Sequence, residues 1–277
     1  MPAESSQGLY DLHAHTTASD GMLSPAELVR LAKNVGLRAL AVTDHDTVDG
    51  VAEAIAEADA LGIELVPGVE ISANFGDVSV HVLGLFVEYR EPWLLEFFAE
   101  AGDRRVDRVH QMVGKLAKLG IDIEPESVFA RSSHGTIGRP HVAEELLERG
   151  VVSSLKEAFV RFLADDGPAY VGCETVSLEE AVALIQRAGG LASLAHPYLL
   201  DDDGIIADMA ASRLPALEVY HRDHTPEKVA EYEALAEELS FLATGGSDFH
   251  RPDGDDHELG CPQLTEEAFE RLRAAVK

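Results

Sequence analysis

Residues 9–15, Leu9-Tyr10-Asp11-Leu12-His13-Ala14-His15, close a short apolar run with two histidines two positions apart. Alternate residues of a strand share a face, so an isolated pair of this kind reads equally well as solvated or hydrogen-bonded histidines. Repetition changes the reading. The run from Arg38 to Thr43 ends in Asp44-His45-Asp46, and the run from Ile63 to Val69 delivers Glu70. Leu191 to Ala195 delivers His196, and Phe241 to Thr244 precedes Gly245-Gly246-Ser247-Asp248-Phe249-His250. Val78 to Phe86 carries His81, and Asp20 follows the first histidine pair. Singly, His45 reads as a helix cap, Glu70 as a strand-end acid and His196-Pro197 as a turn. Jointly, elements that each end in imidazole or carboxylate are how a barrel assembles one polynuclear metal centre on its C-terminal rim.

The connecting segments support that architecture. Ser24-Pro25-Ala26-Glu27 supplies an N-cap, a first-turn proline and a capping-box glutamate for a helix running to about Asn34 and stopping at Gly36. An alanine-rich helix from Val48 to Leu61 ends at Gly62, and Ser177-Leu178-Glu179-Glu180 opens another that reaches Ala188. Ala216 to Val219 reads as a further strand, followed by a helix from Thr225-Pro226 to Leu239. Repeated β-α alternation predicts parallel strands joined by right-handed crossovers. After Pro92 the alternation stops. Leu94 to Leu119 has helical apolar spacing, carries Arg104, Arg105 and Arg108, and predicts a break near Gly102. Further helices are expected over Pro140–Glu148 and Ser154–Leu163. The chain therefore reads as α/β, with a barrel made of residues 1–91 and 168–277 and a helical insertion or cap over 92–167 that contributes to substrate binding.

Composition narrows the function. With 277 residues the chain can bury one large core, or one core plus an insertion. No segment has the apolar length of a membrane span, and Met1 to Gly8 lack the basic-then-apolar pattern of a secretory signal. The two cysteines, Cys173 and Cys261, have no metal-ligand spacing to each other and suggest no disulfide framework. A cytoplasmic location is expected. The 50 acidic residues against 22 basic ones give a net charge of −28. Such a field repels polyanions, so long duplex nucleic acid is disfavoured as a partner. For most of these acids a solubility surface is explanation enough.

Asp11-Leu12-His13-Ala14-His15-Thr16, Thr43-Asp44-His45-Asp46, Gly68-Val69-Glu70, Ala195-His196-Pro197 and Gly246-Ser247-Asp248-Phe249-His250 together resemble the PHP (polymerase and histidinol phosphatase) superfamily. That resemblance implies a distorted (β/α)7 barrel that holds two or three divalent metals and hydrolyses phosphate esters. It also implies that His13, His15, Glu70 and Asp248 hold one metal and that Asp20, His45 and His196 hold a second. Glu70, His81 and His250 would hold a third, with Glu70 bridging. Aspartate at position 20 and the segment Thr136-Ile137-Gly138-Arg139-Pro140-His141-Val142-Ala143, with Phe159 and Pro168-Ala169-Tyr170-Val171, resemble the branch of 3′,5′-nucleoside bisphosphate phosphatases. That branch includes a relative that trims the 5′ ends of RNA. Where relatives often carry a basic or aromatic segment after the His-Pro, Tyr198 is followed by Asp201-Asp202-Asp203.

Mixed nitrogen and carboxylate ligands suit manganese, expected first, with iron or zinc as alternatives to it. A hydroxide shared between two ions at the Glu70 and Asp248 site would attack phosphorus in line. The leaving alcohol would take its proton from metal-bound water, His250 or Asp44. Arg139 offers a planar donor for a phosphate oxygen pair and His141 a second donor, with Ser133, His134 and Arg105 as further candidates for substrate contact. Arg139 reads alternatively as a helix-start arginine in a surface ion pair, and the Arg104–Arg108 run as a solvated helix face. The expected substrate is a nucleoside 3′,5′-bisphosphate, losing its 3′-phosphate, or the end of a short RNA. Histidinol phosphate is the alternative, since the Asp201–Asp203 loop would suit a cation. A non-catalytic, metal-stabilised interaction module is the alternative from another class. Composition leaves the oligomeric state open.

Overall fold

The structure, a computed structural model, describes residues 10–131, 136–164, 167–172, 175–200, 202–252, 258–261 and 264–276. The first β-α units form where local chemistry asks for them. After β1 (Tyr10–Asp11), helix α1 (Pro25–Val35) opens on a two-way capping box. The Ser24 N–H donates to the Glu27 carboxylate at 2.9 Å, and the Glu27 N–H donates to Ser24 Oγ at 3.3 Å. Gly36, at φ 90°, closes the helix, and α1 buries Leu28, Val29 and Ala32. Strand β2 (Ala39–Val42), helix α2 (Val51–Leu61) and strand β3 (Glu64–Phe75) follow.

Strand β4 (Val78–Leu85) corrects the expectation of an all-parallel sheet: it pairs antiparallel with β3, and antiparallel again with β6 (Leu191–Leu194). The cause is local. Only Gly76 and Asp77 separate β3 from β4, and Gly76 takes φ 59°. A two-residue connection makes a hairpin; a parallel crossover needs a dozen residues or more. Because β4 runs backwards, its early residues, His81 among them, lie at the rim where the other strands end. The remaining strands are β5 (Val176–Ser177), which pairs parallel with β3, β7 (Ala216–His221) and β8 (Leu242–Gly246). Among the described residues the sheet order is β1-β2-β3-β4-β6-β7-β8. The Leu12 N–H donates to the Gly245 carbonyl at 3.1 Å, drawing the first and last strands together. The result is a distorted, nearly closed α/β barrel, with seven strands along its path and β5 paired to β3 beside it, as the resemblance implied.

Helix α3 (Pro92–Lys118) runs through Gly102 without the expected break. A helix glycine costs about 1 kcal/mol, which the burial of Leu94, Phe98, Met112 and Leu116 outweighs. The two halves of α3 serve different cores. Leu94 and Phe98 pack among barrel residues such as Val69, Val82 and Ile185. Val109, Met112 and Leu116 pack with a separate cluster built from α4 (Pro125–Phe129), α5 (Arg139–Glu148) and α6 (Leu155–Ala158). A π-helical turn, Phe159–Leu163, ends this helical segment. The barrel is completed by α7 (Leu178–Arg187), α8 (Ile205–Met209), α9 (Pro226–Leu239) and α10 (Glu266–Ala275). No described helix is long and apolar enough to cross a membrane.

Candidate metal centre

Glu70, buried in β3, stands at the middle of the rim with imidazoles around both carboxylate oxygens. Its Oε2 lies 3.3 Å from His13 Nε2, 3.2 Å from His15 Nε2 and 3.0 Å from His45 Nδ1. Its Oε1 lies 2.8 Å from His81 Nδ1 and 3.0 Å from His196 Nε2. Asp248 Oδ1 faces His13 Nε2 and His15 Nε2 at 3.2 and 3.1 Å. Asp20 Oδ1 lies 3.3 Å from His250 Nε2 and 3.7 Å from His15 Nδ1, and its Oδ2 lies 3.7 Å from His45 Nε2. All nine residues singled out as ligands in the sequence therefore meet in one cluster.

Their grouping differs from the one the resemblance implied. His13, His15, Glu70 and Asp248 form one set, as expected. The second is His15, Asp20, His45 and His250, and the third is His45, Glu70 and His81. His250 joins Asp20 because the loop after β8 is tied across to the Asp20 turn, the Met22 N–H donating to the His250 carbonyl at 2.7 Å. His196 faces Glu70 instead of Asp20 because β6 lies beside β4, so it emerges next to His81. Three rim residues, Asp46 (φ 50°), His196 (φ 29°) and Asp248 (φ 53°), hold a left-handed backbone, strain of the kind that concentrates at functional sites.

The donor set fits divalent ions. His13 Nε2, His15 Nε2, His45 Nδ1, Glu70 Oε2 and Asp20 Oδ1 are all buried and make no hydrogen bond, although each has counterparts nearby. Buried polar atoms without partners are rare and costly. Ligands about 2.0–2.1 Å from one ion stand roughly 3 Å apart along the edges of its shell, the spacing found here. The field agrees. Burial opposes charge on Glu70, Asp248 and Asp20, yet the surrounding imidazoles hold all three well below the usual carboxylate range. Burial likewise works against charging His15, but Asp248 and Glu70 lift it to about 10. At His45 burial wins and takes it down to about 4, which keeps a lone pair for coordination. A site that pulls protons this strongly offers the same attraction to a cation.

Several supporting residues were not read from the sequence. Glu218, fully buried in β7, approaches His13 Nδ1 at 3.0 Å through Oε1 and accepts the His196 N–H at 2.6 Å through Oε2. It thus fixes the His13 ring with Nε2 toward Glu70 and Asp248. Its only sequence signal is an acid inside an apolar strand. Asp11 accepts from Ser247 N, Ser247 Oγ and Gly260 N at 3.0, 2.5 and 2.7 Å, bracing the segment that carries Asp248. Asp44, expected as a proton source, instead accepts from Thr16 N, Thr16 Oγ1 and Ser19 Oγ at 2.7–2.8 Å and braces the turn leading to Asp20.

Above the cluster a cavity of about 140 Å³ has Asp20, His45 and His81 on one side. Arg105, Arg108 and Arg139 of the helical segment line the other. Arg105 Nη2 pairs with Asp46 and donates to Ser72 Oγ at 2.9 Å. The Arg139 guanidinium lies 5.5 Å from the Tyr170 ring centroid and 6.0 Å from that of Phe159, and Nη1 donates to the Leu163 carbonyl at 3.3 Å. His141 also lines the cavity, but its Nδ1 accepts the Gly138 N–H at 3.2 Å and burial lowers its pKa. It is a poorer anion donor than expected. Ser133 and His134 lie outside the described residues.

A barrel rim of buried imidazoles and carboxylates facing an arginine-lined cavity defines a phosphoesterase centre, and comparison with known proteins agrees. The PHP domain model matches residues 11–149, and the chain belongs to the PHP family. Over 251 residues it is 36% identical to the 5′-3′ exoribonuclease Rnm of Escherichia coli, covering 88% of this chain and 86% of the relative. It is 33% identical to the 3′,5′-nucleoside bisphosphate phosphatase of Chromobacterium violaceum, covering 96% and 97%. The solved structure of an amidohydrolase from Chromobacterium violaceum with bound sulfate superposes with a TM-score of 0.88 at 33% identity, covering 96% of each chain. The chain is a hydrolase acting on phosphate esters.

Proposed function

We propose that this hydrolase removes the 3′-phosphate of nucleoside 3′,5′-bisphosphates and leaves the 5′-phosphate in place. The observation that carries the reading is the cavity in which the ligand cluster and three arginines face each other. Two anion sites at fixed separation select a doubly phosphorylated ribose, because binding at the remote phosphate orients the reacting one. His13, His15, Glu70 and Asp248 would hold one ion, His15, Asp20, His45 and His250 a second, and His45, Glu70 and His81 a third. His196 faces Oε1 of Glu70 alongside His81. Bound there, divalent ions, manganese foremost, supply Lewis acidity and make water nucleophilic at neutral pH. The protein's own part is to fix that geometry. Glu218 and Asp11 hold the ligands in place, Arg139 and Arg108 bind and orient the second phosphate, and Arg105 ties α3 to the rim through Asp46.

A short RNA can present its 5′ end to the same cavity, with its first internucleotide bond in place of the 3′-phosphate. The identity to the Escherichia coli exoribonuclease favours this as a second activity. The test is phosphate release from 3′-phosphoadenosine 5′-phosphate, histidinol phosphate and a 5′-phosphorylated short RNA, with products separated by chromatography. Adenosine 5′-phosphate is the expected product of the first. Adenosine 3′-phosphate would reverse the two sites, and preference for histidinol phosphate would overturn the substrate class.

A further inference from the structure

Asp20 reaches the ligand cluster by a different route from its companions. In the second set, His45 sits in an isolated β-bridge to Glu70, and His15 and His250 each adjoin the bridge between Ala14 and Phe249. Asp20 lies in a turn, so strand pairing does not fix it. The residue before it is held from two sides. On the barrel side, Ser19 Oγ donates to Asp44 Oδ1 at 2.7 Å. On the other side His141, 4% exposed at the start of α5, hydrogen-bonds the Ser19 backbone. The ring's other contact settles its tautomer. Nδ1 accepts the Gly138 N–H at 3.2 Å, so the proton of the neutral ring is on Nε2, and Nε2 donates to the Ser19 carbonyl. Both ring nitrogens are therefore spent inside the protein, although His141 also lines the arginine cavity. The neighbouring Ala18 carbonyl takes a second donor from the same helical segment, the Thr136 N–H.

We propose that His141 is a positioning residue: through Ser19 it sets Asp20 against His15, His45 and His250, and so governs how tightly the ion of that set is held. The proposal rests on the metal reading above and not on the choice of substrate. Asp20 Oδ1 is buried without a hydrogen bond, 3.3 Å from His250 Nε2, so the carboxylate has no anchor of its own at that oxygen. Its place is set by the turn that carries it. A ligand ordered in advance costs less to order on binding, and loosening the turn returns that cost to the ion. The competing role for His141, a donor to a substrate phosphate, needs an N–H aimed at the cavity. A neutral imidazole has one proton, and here Ser19 takes it.

Two amides separate the ring's contacts. Asparagine puts its oxygen where Nδ1 stands and keeps the bond to Gly138, but falls short of Ser19. Glutamine reaches as far as Nε2 and keeps a donor for Ser19, and it is a natural capping partner at this third position of a helix. The experiment is calorimetric titration of manganese into the metal-free, full-length wild type, His141→Asn and His141→Gln, with circular dichroism alongside. His141→Asn should weaken one ion by about tenfold or more with helicity unchanged, and His141→Gln should stay within about threefold of the wild type. In phosphate release from 3′-phosphoadenosine 5′-phosphate, excess manganese should restore kcat to His141→Asn, with KM unchanged. Equal manganese affinity in all three proteins would overturn the proposal. So would a raised KM with unimpaired metal binding, which would put His141 on the substrate. A His141→Gln protein as weak as His141→Asn, or helicity lost in both, would show that the ring only fills the start of α5 and would equally sink it. A wild type that takes up no manganese strikes the metal reading, and the proposal falls with it, whereas failure to turn over the bisphosphate strikes the proposed reaction and leaves the titrations to decide.

Discussion

Glu218 brings a carboxylate into the interior of an apolar strand, where charge survives only if it is used. Here it is used twice, on His13 Nδ1 and on the His196 N–H. Glu218→Gln keeps the shape and removes the charge, so metal affinity or turnover should fall about 10–100-fold with the fold retained. Elemental analysis beside circular dichroism tests it, and full metal content with full turnover would show that the carboxylate merely fills space. Arg139 makes a different prediction. Stacked near Tyr170 and lining the cavity, it is placed to hold a phosphate remote from the reacting one. Arg139→Ala should raise KM for bisphosphates while kcat changes little, and should barely affect a chromogenic monophosphate. Equal losses on the two substrates would move Arg139 to the reacting centre or to the fold.

At the scale of elements, β8 must approach β1 closely enough to seat His13. A Cβ added at Gly246 would lie 2.2 Å from His13 Cβ and 2.5 Å from its backbone nitrogen. Gly246→Ala should therefore displace the first histidine, with a cost of about 1–3 kcal/mol and loss of activity. Gly102→Ala is the opposite case. It lies mid-helix in α3 with nothing within 4 Å of an added Cβ, and should stabilise by about 0.5–1 kcal/mol in urea unfolding. A melting temperature unchanged by Gly246→Ala would mean that the strands can slide apart.

The elements show what a linear reading can hold. The capping boxes at Ser24 and Ser177 are local chemistry and were legible residue by residue. So were the nine residues that gather on the rim, most of which end or interrupt an apolar run. The reversal of β4 depended on the two residues Gly76 and Asp77, which the alternation of strands and helices overshadowed. The grouping of the ligands was beyond sequence spacing altogether. His250 belongs with Asp20 through one backbone hydrogen bond between distant loops, and His196 belongs beside His81 through strand order. Glu218 was missed because an acid in a strand says nothing about which face, or which histidine, it meets.

For the whole molecule, −28 charges surround a site that must admit an anion. Raising ionic strength from about 0.01 M to about 0.15 M shortens the Debye length from roughly 30 to 8 Å and should lower KM for a bisphosphate. A rise in KM over that range would show that the arginine-lined cavity, and not the outer field, governs entry.

The Thr136 N–H donates to the Ala18 carbonyl at 2.8 Å, joining the helical segment to the turn that carries Asp20. Swinging that segment away from the barrel would pull on Asp20 of the imidazole and carboxylate cluster, so that opening the cavity and loosening any cation held there would become one motion. Thermodynamic reciprocity then applies: a nucleotide that holds the cavity shut must also retain the ions. Saturating nucleoside 5′-monophosphate should slow stripping by a chelator, read as the rate of appearance of the metal–chelator complex. A rate indifferent to nucleotide would mean that the two halves of the molecule breathe independently.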